Sequence, residues 1–214
     1  MDYDTLHAFN DHLTGHTWLA HALAVFSDLS PFIVVAALAV AWFTIRPGTV
    51  NRLREGVVGA LFAAALALGI NQVISHIWAR PRPSAAHPLD VHVWFTNAST
   101  DPSFPSDHSA AAFAVAFALL FVSRKWGIGM LILAAAVALS RVAIGLHYPS
   151  DVLAGAAVGL LAAFIVMYVA RRPLAWVTSW IARLSDAITG PVWRRLSPGS
   201  DEPGANATPA VAGR

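Results

Sequence analysis

Five long apolar runs, separated by short polar or basic segments, dominate the hydropathy pattern of the chain. A helix that crosses the hydrocarbon layer needs about 20 mainly apolar residues. The runs that approach this length lie within Trp18–Ile45, Gly56–Trp78, Ser109–Val122, Gly127–Leu146 and Val152–Ala170. The pattern therefore predicts an all-α integral membrane protein, built as a bundle of about five to six transmembrane helices.

The first run contains a proline that leaves two interpretations of where the span begins. Ser30-Pro31 resembles a helix start, because proline is favoured in the first helical turn. However, only fifteen residues of the run follow Ser30, which is short for a membrane span. We therefore expect a kinked span that begins near Trp18, which would put Asp28 in or near the membrane.

The composition agrees with a membrane protein and excludes other classes. Hydrophobic residues make up 57% of the 214 residues and charged residues only 12%, whereas soluble domains carry about 25% charged residues. The net charge of +2 is too small to indicate a nucleic-acid partner. Because the chain has no cysteine, it forms neither disulfides nor a thiolate metal site.

Two segments of different character follow the predicted transmembrane domain, which covers residues 1–172. Residues 173–196 carry large apolar side chains at helical spacing. If this segment is an interfacial amphipathic helix, its apolar face is expected to contain Trp176, Trp180, Ile181, Leu184 and Trp193. The alternative is a poorly ordered basic tail. Residues 197–214 are rich in Pro, Gly, Ala and Ser, a composition that predicts disorder.

Lysine and arginine are divided unevenly between the two sides of the predicted bundle. Cytoplasmic loops carry an excess of these residues, and with five spans one side collects Arg46, Arg52, Arg54, Arg124, Lys125, Arg171 and Arg172. We therefore expect that side, and the C-terminus, to be cytoplasmic. Arg80, Arg82 and Arg141 are cations on the outward side, and such exceptions call for a functional explanation.

Three polar clusters interrupt the apolar pattern: residues 80–83, 105–108 and 140–151. The first two share one loop. Two predicted spans separate the second from the third, and two spans return the chain to the side it left. All three clusters therefore meet at one membrane face, which the distribution of basic residues makes the extracytoplasmic one.

The side chains of these clusters are chemically complementary. Arginine is a planar, permanently charged fork that binds two phosphate oxygens at once. Pro105-Ser106 resembles a helix start, with the serine side chain as cap and the first amides facing an anion. Asp151 follows His147 by four residues, and a carboxylate bonded to one ring nitrogen leaves the other nitrogen free to attack. His108 would then protonate a leaving oxygen.

Each cluster taken alone also has a structural explanation. Arg-Pro-Arg-Pro is typical of a juxtamembrane anchor, Pro-Ser of a helix cap, and Asp151 of an acid at a helix start. Arg141 is harder to explain in this way, because an arginine inside the end of an apolar helix is costly and usually paired. The convergence of all these groups on one face favours a phosphate-binding active site.

The residues match a known three-part pattern. Ser140, Arg141, His147 and Asp151 fit Ser-Arg-x5-His-x3-Asp completely. Residues 105–108 fit Pro-Ser-Gly-His with Asp107 in place of glycine, and Lys-x6-Arg-Pro keeps Arg82-Pro83 but has Ser75 at the lysine position. Over residues 56–170 the chain thus resembles the type-2 phosphatidic acid phosphatase superfamily. Ser-Phe-Pro-Ser-Asp-His after Arg-Pro-Arg-Pro is similar to its undecaprenyl-diphosphatase branch, which serves bacterial cell-wall (peptidoglycan) synthesis and bacitracin resistance.

The resemblance implies a role for each matching residue. His147 would attack phosphorus, oriented by Asp151, and His108 would protonate the departing lipid phosphate. The phosphoryl oxygens would be held by Arg82, Arg141 and Ser106, with Arg80 compensating for the lysine that Ser75 replaces. Asp107 would orient an arginine or help to bind a cation near a diphosphate, and Ser140 would adjust the site. The family needs no metal cofactor.

The implied reaction is hydrolysis of undecaprenyl diphosphate to undecaprenyl phosphate and phosphate through a phosphohistidine. It would take place in a bacterial inner membrane, with the site facing outside. Such a lipid has an apolar tail in the bilayer and a diphosphate at its surface. Two alternatives stay open: a phosphatase for phosphatidylglycerophosphate or another lipid phosphate, and a non-catalytic lipid-binding or transport protein.

Overall fold

Every regular element in the computed structural model, which describes residues 2–49, 51–94 and 101–196, is a helix. The helices are α1 Asp2–Thr14, α2 Thr17–Phe43, α3 Arg52–Ile77, α4 Pro83–Ala86, α5 Asp107–Leu120, α6 Arg124–Ala143, α7 Pro149–Phe164 and α8 Arg171–Leu196. A π-helical turn, Ile165–Val169, extends α7. The predicted all-α membrane fold is confirmed, whereas the predicted disorder of residues 197–214 lies outside the described residues.

Four helical stretches of the described chain are long and apolar enough to cross a membrane: α2, α3, α6 and the run Pro149–Val169. α2 is continuous from Thr17 through Pro31, so the expectation that the first span begins before the proline is confirmed. Membrane helices tolerate such a proline, because neighbouring groups satisfy the backbone groups that it frees.

The predicted span Ser109–Val122 corresponds to α5, which also has 14 residues. That is about 21 Å of helical rise, less than a membrane span needs. Small side chains such as Ala110, Ala114 and Ala118 are fully buried where α5 packs among α3, α6 and α7. α5 is therefore the central helix of the bundle, and the cavity described below opens at its N-terminal end.

Two glycines of α7 bring this helix into backbone contact with α5. A Cβ atom at Gly155 would lie 2.6 Å from the carbonyl oxygen of Ser106, and one at Gly159 would lie 2.6 Å from that of Ala110. Small residues allow such close approach between membrane helices. The two glycines thus fix the distance between the helices that carry His108 and Asp151.

The hydropathy pattern does not predict α1, because most of its surface is polar. Leu6, Asn10 and Leu13 form a buried stripe along this helix, which packs on α2, α6 and α7. The Asn10 side chain donates hydrogen bonds to the carbonyl oxygens of Ala143 at 3.0 Å and His92 at 2.9 Å. α1 therefore ties the end of α6 to the loop before α5.

At the opposite end of the bundle, residues 171–196 form α8 rather than an irregular tail. Arg54 of α3 is only 2% exposed and donates two hydrogen bonds to Asp186 of α8, at 2.9 and 2.8 Å. The exposed side chains of α8 include Trp176, Trp180, Ile181 and Leu184. Trp193, which was predicted for the same face, is half-buried. A position of this face in the membrane interface stays a prediction.

Candidate active site

A cavity of about 1010 Å³ lies at the end of the bundle where the three polar clusters meet. It is lined by His108 of α5, Arg141 of α6, His147 of the turn after α6, and Arg82 of the turn before α4. The structure therefore brings the two predicted imidazoles and two guanidinium groups to one concave space, which His76 of α3 also lines.

The position of His147 depends on a tight turn at the end of α6. Gly145 has a φ angle of 79°, in the left-handed region that favours glycine. A Cβ atom at Gly145 would also lie 2.7 Å from the Val91 side chain and 2.9 Å from the His92 carbonyl oxygen. This turn lets His147 contribute to the cavity wall although the residue is only 2% exposed.

The hydrogen bonds of His147 define its tautomer. Nδ1 lies 2.8 Å from the carbonyl oxygen of Ser103. Because a carbonyl oxygen can only accept, Nδ1 carries the proton and Nε2 keeps its lone pair. Nη1 of Arg82 lies 3.5 Å from this Nε2. The nitrogen that could attack phosphorus therefore stands beside a cation that could hold a phosphoryl oxygen.

The expected hydrogen bond between Asp151 and His147 is replaced by a longer contact. Oδ2 of Asp151 lies 3.7 Å from Nδ1; it accepts hydrogen bonds from the backbone N–H of Tyr148 at 2.9 Å and from the hydroxyl of Ser103. Oδ1 accepts from Arg80 at 2.8 Å. Asp151, which is fully buried, thus closes the first turn of α7 and reaches His147 through Ser103.

The surroundings of His147 favour its neutral form. Burial is the largest influence and lowers the pKa of the imidazole, while the nearby carboxylate of Asp151 opposes this shift. The positive charges of Arg141 and Arg82 lower the pKa further. An imidazole that resists protonation keeps its lone pair available at neutral pH.

The two cavity arginines are held from different sides. Arg141 is 6% exposed, and its Nη1 donates to the hydroxyl of Ser27 on α2 at 3.0 Å. Its Nε has no hydrogen-bond partner within the described part of the chain. Nε of Arg82 donates to the carbonyl oxygen of Asp101 at 3.0 Å. These contacts fix the guanidinium groups on the cavity wall, which suits a dense oxyanion.

The guanidinium group of Arg80 points to protein acceptors, which corrects the prediction that it contacts phosphate. Nη1 donates to Asp151 at 2.8 Å and to the Ser150 hydroxyl at 2.7 Å, and Nη2 donates to Asp2 at 2.8 Å. The ring of Tyr148 lies 3.8 Å from the guanidinium carbon. Arg80 is not among the residues that line the cavity, so it does not compensate there for the missing lysine.

Two predicted serines lie behind the cavity wall. Ser106 precedes the first residue of α5 as predicted, but its hydroxyl does not cap the helix; this oxygen is buried and has no hydrogen-bond partner among the described residues. The hydroxyl of Ser140 donates to the carbonyl oxygen of Val137 at 2.7 Å. The Ser140 hydroxyl is therefore used in a hydrogen bond inside α6, whereas the Ser106 hydroxyl is available to donate to a bound ligand.

The two positions that depart from the family pattern, Ser75 and Asp107, both line the cavity. The Ser75 hydroxyl donates to the Gln72 carbonyl oxygen at 3.1 Å, and Asp107 accepts a hydrogen bond from Asn71 at 2.8 Å. Asp28 of α2 adds a second carboxylate to the lining. Within residues 2–49, 51–94 and 101–196, no group of three His, Asp or Glu side chains could hold a metal ion.

The residues of this region that the sequence did not identify include Ser103, Ser27 and Asp2, and, in the cavity lining, Gln72, His76 and Asp101. Ser103 lies three residues before Ser106, so its place in the Ser-Phe-Pro-Ser-Asp-His stretch was an available signal. Ser27 and Asp2 reach the site from 114 and 148 positions away in the chain, as counted to Arg141 and Ser150. No local pattern predicts such contacts.

Comparison with known proteins identifies the family. The PAP2 superfamily model matches residues 56–174, more than half of the chain. The chain belongs to the PAP2 superfamily. The type-2 phosphatidic acid phosphatase resemblance is thereby confirmed.

Relatives of this PAP2 protein include undecaprenyl-diphosphatases. Undecaprenyl-diphosphatase BcrC of Bacillus subtilis (strain 168) is 33% identical over 165 residues, which cover 77% of this chain and 82% of the relative. Bacitracin transport permease protein BcrC of Bacillus licheniformis is 31% identical over 172 residues, 80% of this chain and 82% of the relative. The family and these relatives support a membrane-embedded phosphatase that acts on lipids.

A solved structure agrees with the fold. The crystal structure of Aquifex aeolicus LpxE matches this PAP2 protein with a TM-score of 0.63 at 24% identity, over 78% of this chain and 94% of that one. At this level of identity the likeness concerns the fold alone.

Proposed function

We propose that this PAP2 protein hydrolyses undecaprenyl diphosphate to undecaprenyl phosphate and inorganic phosphate. The observation that carries the proposal is the 3.5 Å approach of Arg82 to Nε2 of His147, at the wall of a cavity shared with Arg141 and His108. An unprotonated nucleophilic nitrogen, two cations and a second imidazole are the groups that phosphoryl transfer needs.

The reaction would proceed in two displacements. Nε2 of His147 attacks the terminal phosphorus, a phosphorus–nitrogen bond forms, and the bond from that phosphorus to the bridging oxygen breaks. Burial and the nearby arginine charges lower the pKa of His108 to about 3, so the negative charge of the bound diphosphate must stabilise its protonated form. His108 in that form protonates the bridging oxygen, which leaves as undecaprenyl phosphate. Water, deprotonated by His108, then attacks the phosphohistidine and releases phosphate. Arg82 and Arg141 bind the oxygens on which negative charge accumulates in each transition state. The buried hydroxyl of Ser106 would add a donor.

The choice of substrate rests on location and on relatives. The cavity opens at the end of a bundle whose lipid-facing residues, such as Phe32, Val73 and Ile77, are apolar and exposed. A polyprenyl tail would lie along such a surface while the diphosphate enters the cavity. The B. subtilis relative is named as an undecaprenyl-diphosphatase. Recycling of this lipid carrier would link the protein to peptidoglycan synthesis and bacitracin resistance.

A substrate comparison tests this proposal. Purified protein is assayed for phosphate release from undecaprenyl diphosphate, phosphatidylglycerophosphate and phosphatidic acid, beside a His147→Gln variant. We expect the highest kcat/KM with undecaprenyl diphosphate and loss of at least a thousandfold in the variant. Preference for the glycerophospholipid would reject the substrate, and release of no phosphate from any of the three would favour a lipid-binding or transport role.

We also propose that the cavity faces the outside of a bacterial inner membrane. The basic residues Arg46, Arg52, Arg124, Lys125 and Arg171 all lie near the opposite ends of the helices, in agreement with the excess of positive charge in cytoplasmic loops. Leu89, beside the cavity loop, is 93% exposed. In this cysteine-free chain, an impermeant thiol reagent on intact cells should label Leu89→Cys and spare Arg124→Cys. The reverse pattern would put the site in the cytoplasm.

A further inference from the structure

The carboxylate of Asp2, at the start of α1, contacts the first turn of α7, the helix that carries Asp151. Its Oδ1 accepts the backbone N–H of Ser150 at 3.0 Å, and its Oδ2 accepts the Ser150 hydroxyl at 2.5 Å. The first N–H groups of a helix have no partner inside the helix and favour an acidic group. Asp2 therefore caps α7 from a different helix, immediately before Asp151.

The same carboxylate is bridged to Asp151 by one arginine. Arg80 donates through Nη2 to Asp2 and through Nη1 to Asp151, both at 2.8 Å. The side chains of Asp2 and Arg80 are 32% and 27% exposed, whereas Asp151 is fully buried. Burial alone would lower the pKa of Arg80, but its bond to Asp2 and the charge of Asp151 outweigh this and raise the pKa. The guanidinium group of Arg80 is therefore permanently charged.

With Asp2 present, one guanidinium is shared between two carboxylates. Loss of the Asp2 charge would leave this guanidinium to Asp151 alone, and we expect that change to alter how Asp151 is held against Ser103. The buried stripe Leu6, Asn10 and Leu13 holds α1 in place for this contact.

We propose that Asp2 is a positioning residue for catalysis: through Arg80 and Ser150 it holds Asp151, and thereby Ser103 and His147, in the arrangement needed for attack. The N-terminal helix is then a working part of the active site although it contributes nothing to the cavity wall. The inference rests on the proposed hydrolysis at His147.

A double-mutant cycle tests the route through Arg80. Phosphate release is measured for wild type, Asp2→Asn, Arg80→Lys and the double variant on the lipid that wild type hydrolyses fastest. A lysine keeps the charge but has one ammonium nitrogen in place of the two terminal nitrogens that bond Asp2 and Asp151 separately, so we expect Arg80→Lys to weaken the bridge. We expect Asp2→Asn to lower kcat roughly tenfold, as loss of a charged hydrogen bond does, with KM changed less than about twofold. In the Arg80→Lys background the same change should cost about twofold or less.

Two further variants separate positioning from general loss of structure. Asp2→Glu keeps the charge and should recover most of kcat. Asp11→Asn removes an exposed carboxylate from the same helix and should leave kcat unchanged. Equal effects of Asp2→Asn in both backgrounds, or no effect in wild type, would refute the positioning role. Absence of any wild-type turnover would instead refute the proposed function.

Discussion

The carbonyl oxygen of Ser103 accepts a hydrogen bond from Nδ1 of His147 at 2.8 Å. This backbone contact, rather than the carboxylate of Asp151, orients the imidazole directly. The hydroxyl of the same serine donates to Asp151, so Ser103 joins the candidate nucleophile to the acid that supports it.

Replacing Ser103 with alanine removes the hydroxyl and keeps the carbonyl. We expect kcat to fall about tenfold, because Asp151 loses one hydrogen bond to its charge, while KM changes little because Ser103 does not line the cavity. Ser103→Thr, which keeps a hydroxyl, should recover part of the loss. Ser84→Ala in α4 is the matched control, and a similar loss there would show that the effect is not specific.

The environment of His147 predicts a displaced acid limb in the pH profile of kcat/KM. Attack needs neutral imidazole, and burial lowers the pKa of His147 from its ordinary value of 6.5. Protonation therefore begins only at a lower pH, and activity should persist as the pH falls through 6.5. The profile reports ionisations of the free enzyme. An acid limb with its midpoint at or above 6.5 would contradict the placement of His147.

The contact between α5 and α7 predicts sensitivity to a single methyl group. A Cβ atom at Gly159 would lie 2.6 Å from the Ala110 carbonyl oxygen and 2.7 Å from the Ala114 nitrogen. Both are backbone atoms of α5, which must shift as a whole. We expect Gly159→Ala to reduce the free energy of unfolding by about 2 kcal/mol, seen as a lower Tm. Gly129→Ala meets nothing within 4 Å and should leave Tm unchanged or slightly raised.

The exposed face of α8 predicts contact with lipid. Leu184 is 64% exposed, whereas Ser179 lies on a different, polar part of the helix surface. A spin label at Leu184→Cys in reconstituted protein should be more accessible to oxygen, which concentrates in lipid, than to a water-soluble nickel chelate. A label at Ser179→Cys should show the opposite order. Equal accessibility to the chelate at both positions would argue against an interfacial helix.

Periodicity and motif spacing predicted most of the architecture that carries the site. Apolar runs mark membrane helices because the bilayer leaves few alternatives for a backbone. The return of the chain after two spans correctly predicted that His108, Arg141 and His147 meet at one end of the bundle. α5 has 14 residues, as many as the predicted run Ser109–Val122, and it is buried among neighbouring helices.

What the sequence could not predict depends on contacts between distant segments. Arg80 carries the charge expected of a phosphate ligand, but its guanidinium group donates instead to Asp151 and to Asp2, which is 78 positions away in the chain. The hydropathy pattern did not predict α1, because most of the surface of this helix is polar and only Leu6, Asn10 and Leu13 are buried. The direct Asp151–His147 bond was expected from spacing alone, and the intervening Ser103 comes from another loop.

Covalent labelling of His147 tests the account most directly. The protein is mixed with undecaprenyl diphosphate that carries radioactive phosphorus in its terminal phosphate, quenched in alkali, where phosphohistidine survives, and digested for peptide mapping. We expect label on the peptide that contains His147 in the wild type, and none in His147→Gln. Label on another residue, label that persists in His147→Gln, or turnover without any covalent label would contradict the nucleophilic role.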